Sequence, residues 1–179
     1  MEKYPQTATE RFDDANFHIK YCLLFIKKYI KGNILEVGAG CGSFTRNYYH
    51  SKLKNLVLTE TDNKNISFLK ENFKNEEKIN IEKSFGEIEG KFDSILYLHV
   101  LEHIEDDQKE IEEAAGKLEK GGNLIIIVPA HQEIYGNLDR AVGHYRRYEK
   151  QFFKKDLQNL TRVNLKFLDG IGYILYYFN

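Results

Sequence analysis

Short apolar runs separated by stretches with helical spacing constrain this chain more than any other feature. They are Ile34-Leu35-Glu36-Val37, Leu56-Val57-Leu58, the short alternating Ile79-Asn80-Ile81, Phe92 to Leu98, and Leu124 to Val128, which Pro129 terminates. Runs that are apolar nearly throughout suit parallel strands covered on both faces. Between them, Ile66, Leu69 and Phe73 share one helical face, and Ile111, Ala114, Ala115 and Leu118 share another. Ahead of them, Phe12, Ala15, Ile19, Cys22, Ile26 and Ile30 lie three or four apart, an amphipathic helix ended by Lys31-Gly32. Beyond them, Phe152, Phe153, Leu157 and Leu160 predict one more helix, and roughly Val163 to Leu168 a sixth strand. This rhythm predicts an α/β fold: an open, doubly wound, mostly parallel sheet with helices on both faces.

Composition narrows the function classes. The 179 residues fit one domain. With 26 lysines and arginines against 27 acids, a net charge of −1 gives no global electrostatic reason to bind nucleic acid or anionic lipid. Two cysteines, Cys22 and Cys41, are too few for a disulfide framework, so a reducing compartment is expected. No metal constellation stands out, and no metal is expected. The first residues lack the apolar core of a signal peptide, and no stretch approaches the roughly 20 apolar residues that span a bilayer. The expectation is a cytoplasmic protein.

In doubly wound sheets ligands sit beyond the carboxyl ends of the strands. After the first run the sequence reads Glu36-Val37-Gly38-Ala39-Gly40-Cys41-Gly42-Ser43. A tight strand-to-helix turn with no ligand is the plain alternative for such a loop. The dinucleotide fingerprint would want a glycine at Ser43, and the carboxylate of Glu36 would repel a pyrophosphate while suiting a cation. Glu60 ends the second run, where a carboxylate can accept both hydroxyls of a ribose. Together these groups describe a ligand with a ribose, a positive charge and no pyrophosphate.

Glu36 to Gly42 followed by Glu60 resembles the cofactor site of the class I S-adenosylmethionine-dependent methyltransferases, whose fold is Rossmann-like. The resemblance implies that Glu36 and the loop of Gly38, Ala39, Gly40 and Gly42 hold the methionyl part of the cofactor. It implies Glu60 on the ribose, Thr61 and Asp62 beside the adenine, and Leu98 at the cofactor pocket. After the third strand the family often carries an acid that meets the adenine amine; Ser84-Phe85-Gly86 lacks it, leaving Phe85 for ring packing and a backbone contact.

The fourth run continues as Leu98-His99-Val100-Leu101-Glu102-His103-Ile104, similar to the Leu-Glu-His-Ile stretch of many small-molecule members. There His103 is a candidate general base and His99 a candidate substrate contact, histidine titrating near neutral pH. Alternatively Glu102 and His103 merely start the next helix. The long segment after Pro129 holds His131, Tyr135, Asp139, Arg140, His144, Tyr145, Arg146, Arg147 and Tyr148. Long loops of this kind tend to be functional, and arginine's planar fork suits carboxylate or phosphate groups. An arginine–aspartate lock with Asp139 as partner is the plainer role. The Asp-Arg…Gly-His-Tyr-Arg-Arg-Tyr pattern resembles a bacterial methyltransferase subgroup associated with glycosyltransferases and surface-polysaccharide assembly. That likeness implies His144, Tyr145, Arg146 and Arg147 at the acceptor site; His144 is taken as a candidate catalytic residue, and His131 and Tyr135 of the same loop as further candidate acceptor contacts.

The expected organisation is an N-terminal helix over 1–31, a cofactor-binding core over 32–128, an acceptor loop over 129–149, and a C-terminal helix and strand over 150–179. The expected activity is methyl transfer from S-adenosylmethionine to an oxygen of a small molecule or glycan precursor. A non-catalytic S-adenosylmethionine-binding module and an NAD-dependent oxidoreductase are the alternatives. The family's sheet has a seventh, antiparallel strand for which no residues remain, so a shortened chain is expected. An apolar tail, Ile171 to Asn179, is left for self-association or a membrane surface.

Overall fold

The computed structural model describes residues 16–50, 53–154, 160 and 164–168. Among the described residues a five-stranded parallel sheet runs in the order β3-β2-β1-β4-β5. The strands are β1 (Asn33–Val37), β2 (Asn55–Thr59), β3 (Ile79–Glu82), β4 (Phe92–Leu98) and β5 (Leu118–Ile127). Helices α1 (Asn16–Ile26), α2 (Ser43–Tyr48), α3 (Asn63–Asn72), α4 (Asp107–Gly116) and α5 (Asn137–Ala141) accompany it. Ile34 of β1 pairs with Leu56 on one side and Ser94 on the other.

Successive strand side chains enter opposite apolar layers, which is why the runs are apolar throughout. Ile34, Leu56, Leu96 and Ile125 pack with Ile19 and Cys22 of α1 and Leu69 of α3. Leu35, Ile95 and Tyr97 pack on the other face with Ile111 and Ala114 of α4. Burying one such aliphatic side chain contributes about 1.5–3 kcal/mol.

The edges differ from expectation. Helix α1 stops at Ile26 and a 3₁₀ turn, Lys27–Tyr29, follows, leaving Ile30 extended. The side chains of Asn123 and Ser94 reach the Tyr29 carbonyl at 2.8 and 3.2 Å, so this helix end is capped from the sheet. Leu118, expected on a helical face, opens β5 opposite Phe92, because α4 ends at Gly116, a poor helix former. The pairing then slips, and Ser94 lies opposite Asn123. Asn164–Leu168, expected within a sixth strand, carry no strand. Of the expected C-terminal helix, the described residues show a 3₁₀ turn, Phe152–Lys154. Phe12, Ala15, Leu157, Val163 and the tail Ile171 to Asn179 lie outside the described residues. Among the described residues no helix is long and apolar enough to cross a membrane.

Candidate active site

Strand order reverses between β1 and β4, so the crevice lies above their carboxyl ends. The loop after β1 takes left-handed backbone at Gly38, Gly40 and Gly42, with φ of 66°, 57° and 86°. A Cβ at Gly38 would lie 2.8 Å from the methyls of Val100, and one at Gly42 would lie 2.7 Å from the ring of Phe73. Around Gly40 nothing comes within 4 Å of that position. Gly38 and Gly42 therefore serve packing, whereas Gly40 borders open space that a ligand can enter. The loop hangs from β2: the Ala39 N–H donates to the Thr59 carbonyl at 2.9 Å, and the Gly40 N–H to Glu60 Oε2 at 2.8 Å.

Glu60 is the clasp of this arrangement. Its Oε1 accepts the N–H groups of Thr61 and Asp62 at 2.7 and 2.9 Å, while Oε2 holds the loop. The carboxylate is thereby fixed beside Gly40 at the crevice. Asp62 caps α3, accepting the N–H groups of Lys64 and Asn65, and Thr61 is exposed.

Glu36 lies deeper, 2% exposed. Its Oε2 accepts the hydroxyls of Thr45 at 2.6 Å and Tyr48 at 2.5 Å, tying β1 to α2. Burial pushes its carboxyl up to about 7, against the pull of those two hydroxyls. Leu98 is buried in the layer shared with α1. Phe85 is buried in the other layer, edge-on to Tyr97 with ring centroids 6.2 Å apart, which gives its ring a core contact.

Beyond β4 the chain makes a 3₁₀ turn, Leu101–His103, rather than starting the next helix, which begins only at Asp107. His99 has φ of 60°, unusual for a residue with a side chain. Its Nε2 lies 3.1 Å from His18 Nε2, and its ring 6.1 Å from Phe44 at the start of α2. Glu102 is 1% exposed, and its Oε2 has no hydrogen-bond partner. An uncompensated buried acceptor costs about 1–3 kcal/mol, and more when charged.

The segment after β5 is fastened onto this turn. The Tyr145 N–H donates to the Glu102 carbonyl at 2.8 Å, and His103 Nδ1 lies 3.2 Å from the Gly143 carbonyl. The rings of His103 and His144 meet edge to face, 4.6 Å between centroids. Burial pulls the His103 imidazole below its ordinary value, against the opposing pull of the Glu102 carboxylate. His144 Nδ1 and Arg147 Nε share Asp139 Oδ1, at 3.0 and 2.8 Å. Burial pushes the Asp139 carboxyl up, but the Gly136 N–H, Arg147 and His144 outweigh it and hold it low.

Arg146 Nη1 pairs with Asp107 Oδ2 at 2.6 Å, and the Tyr148 hydroxyl lies 2.8 Å from the same oxygen. Both arginines expected on the acceptor thus bind buried aspartates, and Asp139 takes Arg147 rather than its neighbour Arg140. Arg140 instead donates to Asn137 and stands over the Tyr135 ring. Tyr135 donates its hydroxyl to the His144 carbonyl at 2.6 Å, and Tyr145 is half exposed. His131, another left-handed residue, stacks on Phe167 and lies 3.1 Å from Glu133. The residues that sequence reasoning missed are Thr45, Tyr48, Asp107 and His18, each defined by a partner distant in sequence or on another element.

The loop, the clasp and the open space beside Gly40 fit a ribose-bearing ligand, and the paired imidazoles lie on the turn after β4 and the loop after β5. The sequence model of a family described as a methyltransferase domain matches residues 13–163. The chain belongs to that methyltransferase family. It is 28% identical, over 97% of its own length and 80% of the relative's, to an uncharacterized protein of Methanocaldococcus jannaschii. Its fold is similar to that of an S-adenosylmethionine-dependent methyltransferase from Clostridium acetobutylicum, with TM-score 0.51 and 22% identity, covering 67% of this chain and 50% of that one. It is also similar to the N-methyltransferase NodS of Bradyrhizobium japonicum in complex with S-adenosyl-L-homocysteine, with TM-score 0.60 and 20% identity, covering 81% and 70%. The chain thus spans half the length of the clostridial enzyme, and these two likenesses are ones of fold.

Proposed function

We propose that this methyltransferase moves a methyl group from S-adenosylmethionine to an oxygen of a small molecule or glycan precursor. The observation that carries the cofactor reading is the Glu60 clasp beside the open space at Gly40. Glu60 accepts the ribose hydroxyls, the glycine loop lines the methionyl part, and Thr61 and Asp62 stand at the adenine side. The cofactor supplies an electrophilic methyl on a sulfonium. Alignment of the two reactants is then worth about 7–11 kcal/mol, and removal of the acceptor's proton adds about 10²–10⁴-fold. His103 and His144 are the groups that meet that proton. His99, Tyr135 and Tyr145 border the acceptor, and the arginines support it from behind, Arg146 through Asp107 and Arg147 through Asp139. The likeness of the Gly-His-Tyr-Arg-Arg-Tyr stretch to the polysaccharide-associated subgroup favours a glycan acceptor.

Calorimetric titration tests the first half: S-adenosylmethionine binds and NAD does not. Incubation with methyl-labelled cofactor and a host lysate tests the second: label appears in a small molecule or glycan fraction. Binding without any transfer would instead establish the non-catalytic module.

A further inference from the structure

We propose that Glu102, His103 and His144 form a binding site for one divalent transition-metal cation of the zinc type, held between the turn after β4 and the loop after β5. One donor atom from each residue lies within 4.8 Å of the others. A cation held at about 2.0–2.2 Å from nitrogen and carboxylate ligands draws its donors to about 3–4 Å from one another, a rotamer-scale closure. Two imidazoles and one carboxylate are a donor set of catalytic zinc sites, which keep a further position open.

Independent observations on each ligand point the same way. Glu102 offers a carboxylate oxygen that is buried without a partner, in a side chain only 1% exposed. A cation supplies the missing interaction. His103 Nδ1 faces the Gly143 carbonyl and His144 Nδ1 faces Asp139 Oδ1. Carbonyl and carboxylate oxygens only accept, so each Nδ1 carries the proton and Nε2 is the unprotonated nitrogen of each ring. Metal-binding histidines are oriented in this way, the second nitrogen donating to a carbonyl or carboxylate. Asp139 is itself fixed by the Gly136 N–H and Arg147. The two other donor groups among the described residues are poorer. His18, Cys22 and His99 depend on a fully buried thiol that burial pushes up to about 11, and His131, Glu133 and Glu149 lie at the surface.

The inference rests on the reading of this turn and loop as the acceptor side and makes the imidazoles ligands of the cation in place of proton acceptors. A cation there binds the acceptor's hydroxyl oxygen and lowers its proton affinity, as zinc does for water. The O–H bond breaks, the proton leaves to water, and the oxygen keeps the electron pair as nucleophile.

The test is titration of the chelator-stripped full chain with Zn²⁺ and, for spectroscopy, Co²⁺. The expected result is one equivalent per chain, with visible cobalt bands of a low-coordinate nitrogen and oxygen site and no thiolate charge-transfer band. Glu102→Gln and His144→Ala each weaken binding by more than tenfold, and Asp139→Asn by about 10–100-fold. Glu102 is buried, so circular dichroism accompanies each variant; His144→Ala, at the loop, carries the test if Glu102→Gln does not fold. No stoichiometric binding, a thiolate band, or affinity unchanged in folded His144→Ala overturns the site. Calorimetry with S-adenosylmethionine on the stripped chain reads the cofactor reading separately: binding there without any metal uptake sinks the metal site alone.

Discussion

Three glycines in one loop do two different jobs, and substitution separates them. At Gly42 a Cβ would collide with Phe73 and Leu69, at 2.7 and 3.0 Å, in left-handed backbone. Gly42→Ala is therefore expected to lower stability by about 2–4 kcal/mol in urea denaturation. Gly40→Ala adds a methyl that meets nothing, so its stability loss is limited to left-handed strain of about 1–2 kcal/mol. Its larger effect is on S-adenosylmethionine, whose affinity should fall more than tenfold by calorimetry. Equal binding losses in folded Gly40→Ala and Gly42→Ala would undo this division. Glu60 needs the subtler change: Glu60→Ala releases three backbone N–H groups and loosens the loop, whereas Glu60→Gln keeps the shape and the oxygen that accepts Thr61 and Asp62 but loses the charge and the bond from the Gly40 N–H. Glu60→Gln should weaken cofactor binding by about 1–3 kcal/mol with a smaller change in melting temperature.

At the scale of elements, Glu36 couples β1 to α2 through Thr45 and Tyr48, and its raised carboxyl makes that junction pH-dependent. A raised carboxyl favours the fold below its ordinary value of 4.5 and loses that advantage as pH rises through about 7. Stability of the cofactor-free chain should fall across that window by on the order of 3 kcal/mol from this group. Urea denaturation of wild type and Glu36→Gln at several pH values checks it: the variant's curve is flatter. Strands β1, β2 and β4 were legible because Ile34, Leu56, Leu96 and their neighbours feed two covered faces, which leaves no alternation to misread. The placement of Gly38, Gly40 and Glu60 just beyond strand ends was legible because the apolar runs of β1 and β2 stop there. The pairing of Asp107 with Arg146 and Tyr148 was not, since a first-turn acid reads as a dipole partner until a loop some forty residues on folds over it. For the same reason Arg140, adjacent to Asp139, was the natural partner in sequence, and Arg147 took it in space. The end of α1 was hidden too, because its cap comes from Ser94 and Asn123.

Across the whole molecule, the site is assembled from the ends of β1, β2 and β4 and the loop after β5. A ligand bridging those parts should stabilise them as a unit. At a hundredfold excess over Kd, S-adenosylmethionine should add about 2.7 kcal/mol, a rise of roughly 5–10 °C in Tm for a chain of this size. NAD should give no such shift in the same melt. His99 carries the converse lesson. Its backbone sits at φ of 60°, where glycine rests without strain. The ring offsets part of that strain through His18 and Glu102, and under the proposed function it also borders the acceptor. His99→Gly relieves the left-handed strain but removes the contacts to His18 and Glu102, so the melting temperature should change little while turnover drops. Stability and competence are uncoupled at that single position, and random mutagenesis scored only for thermal survival would not retain the catalyst.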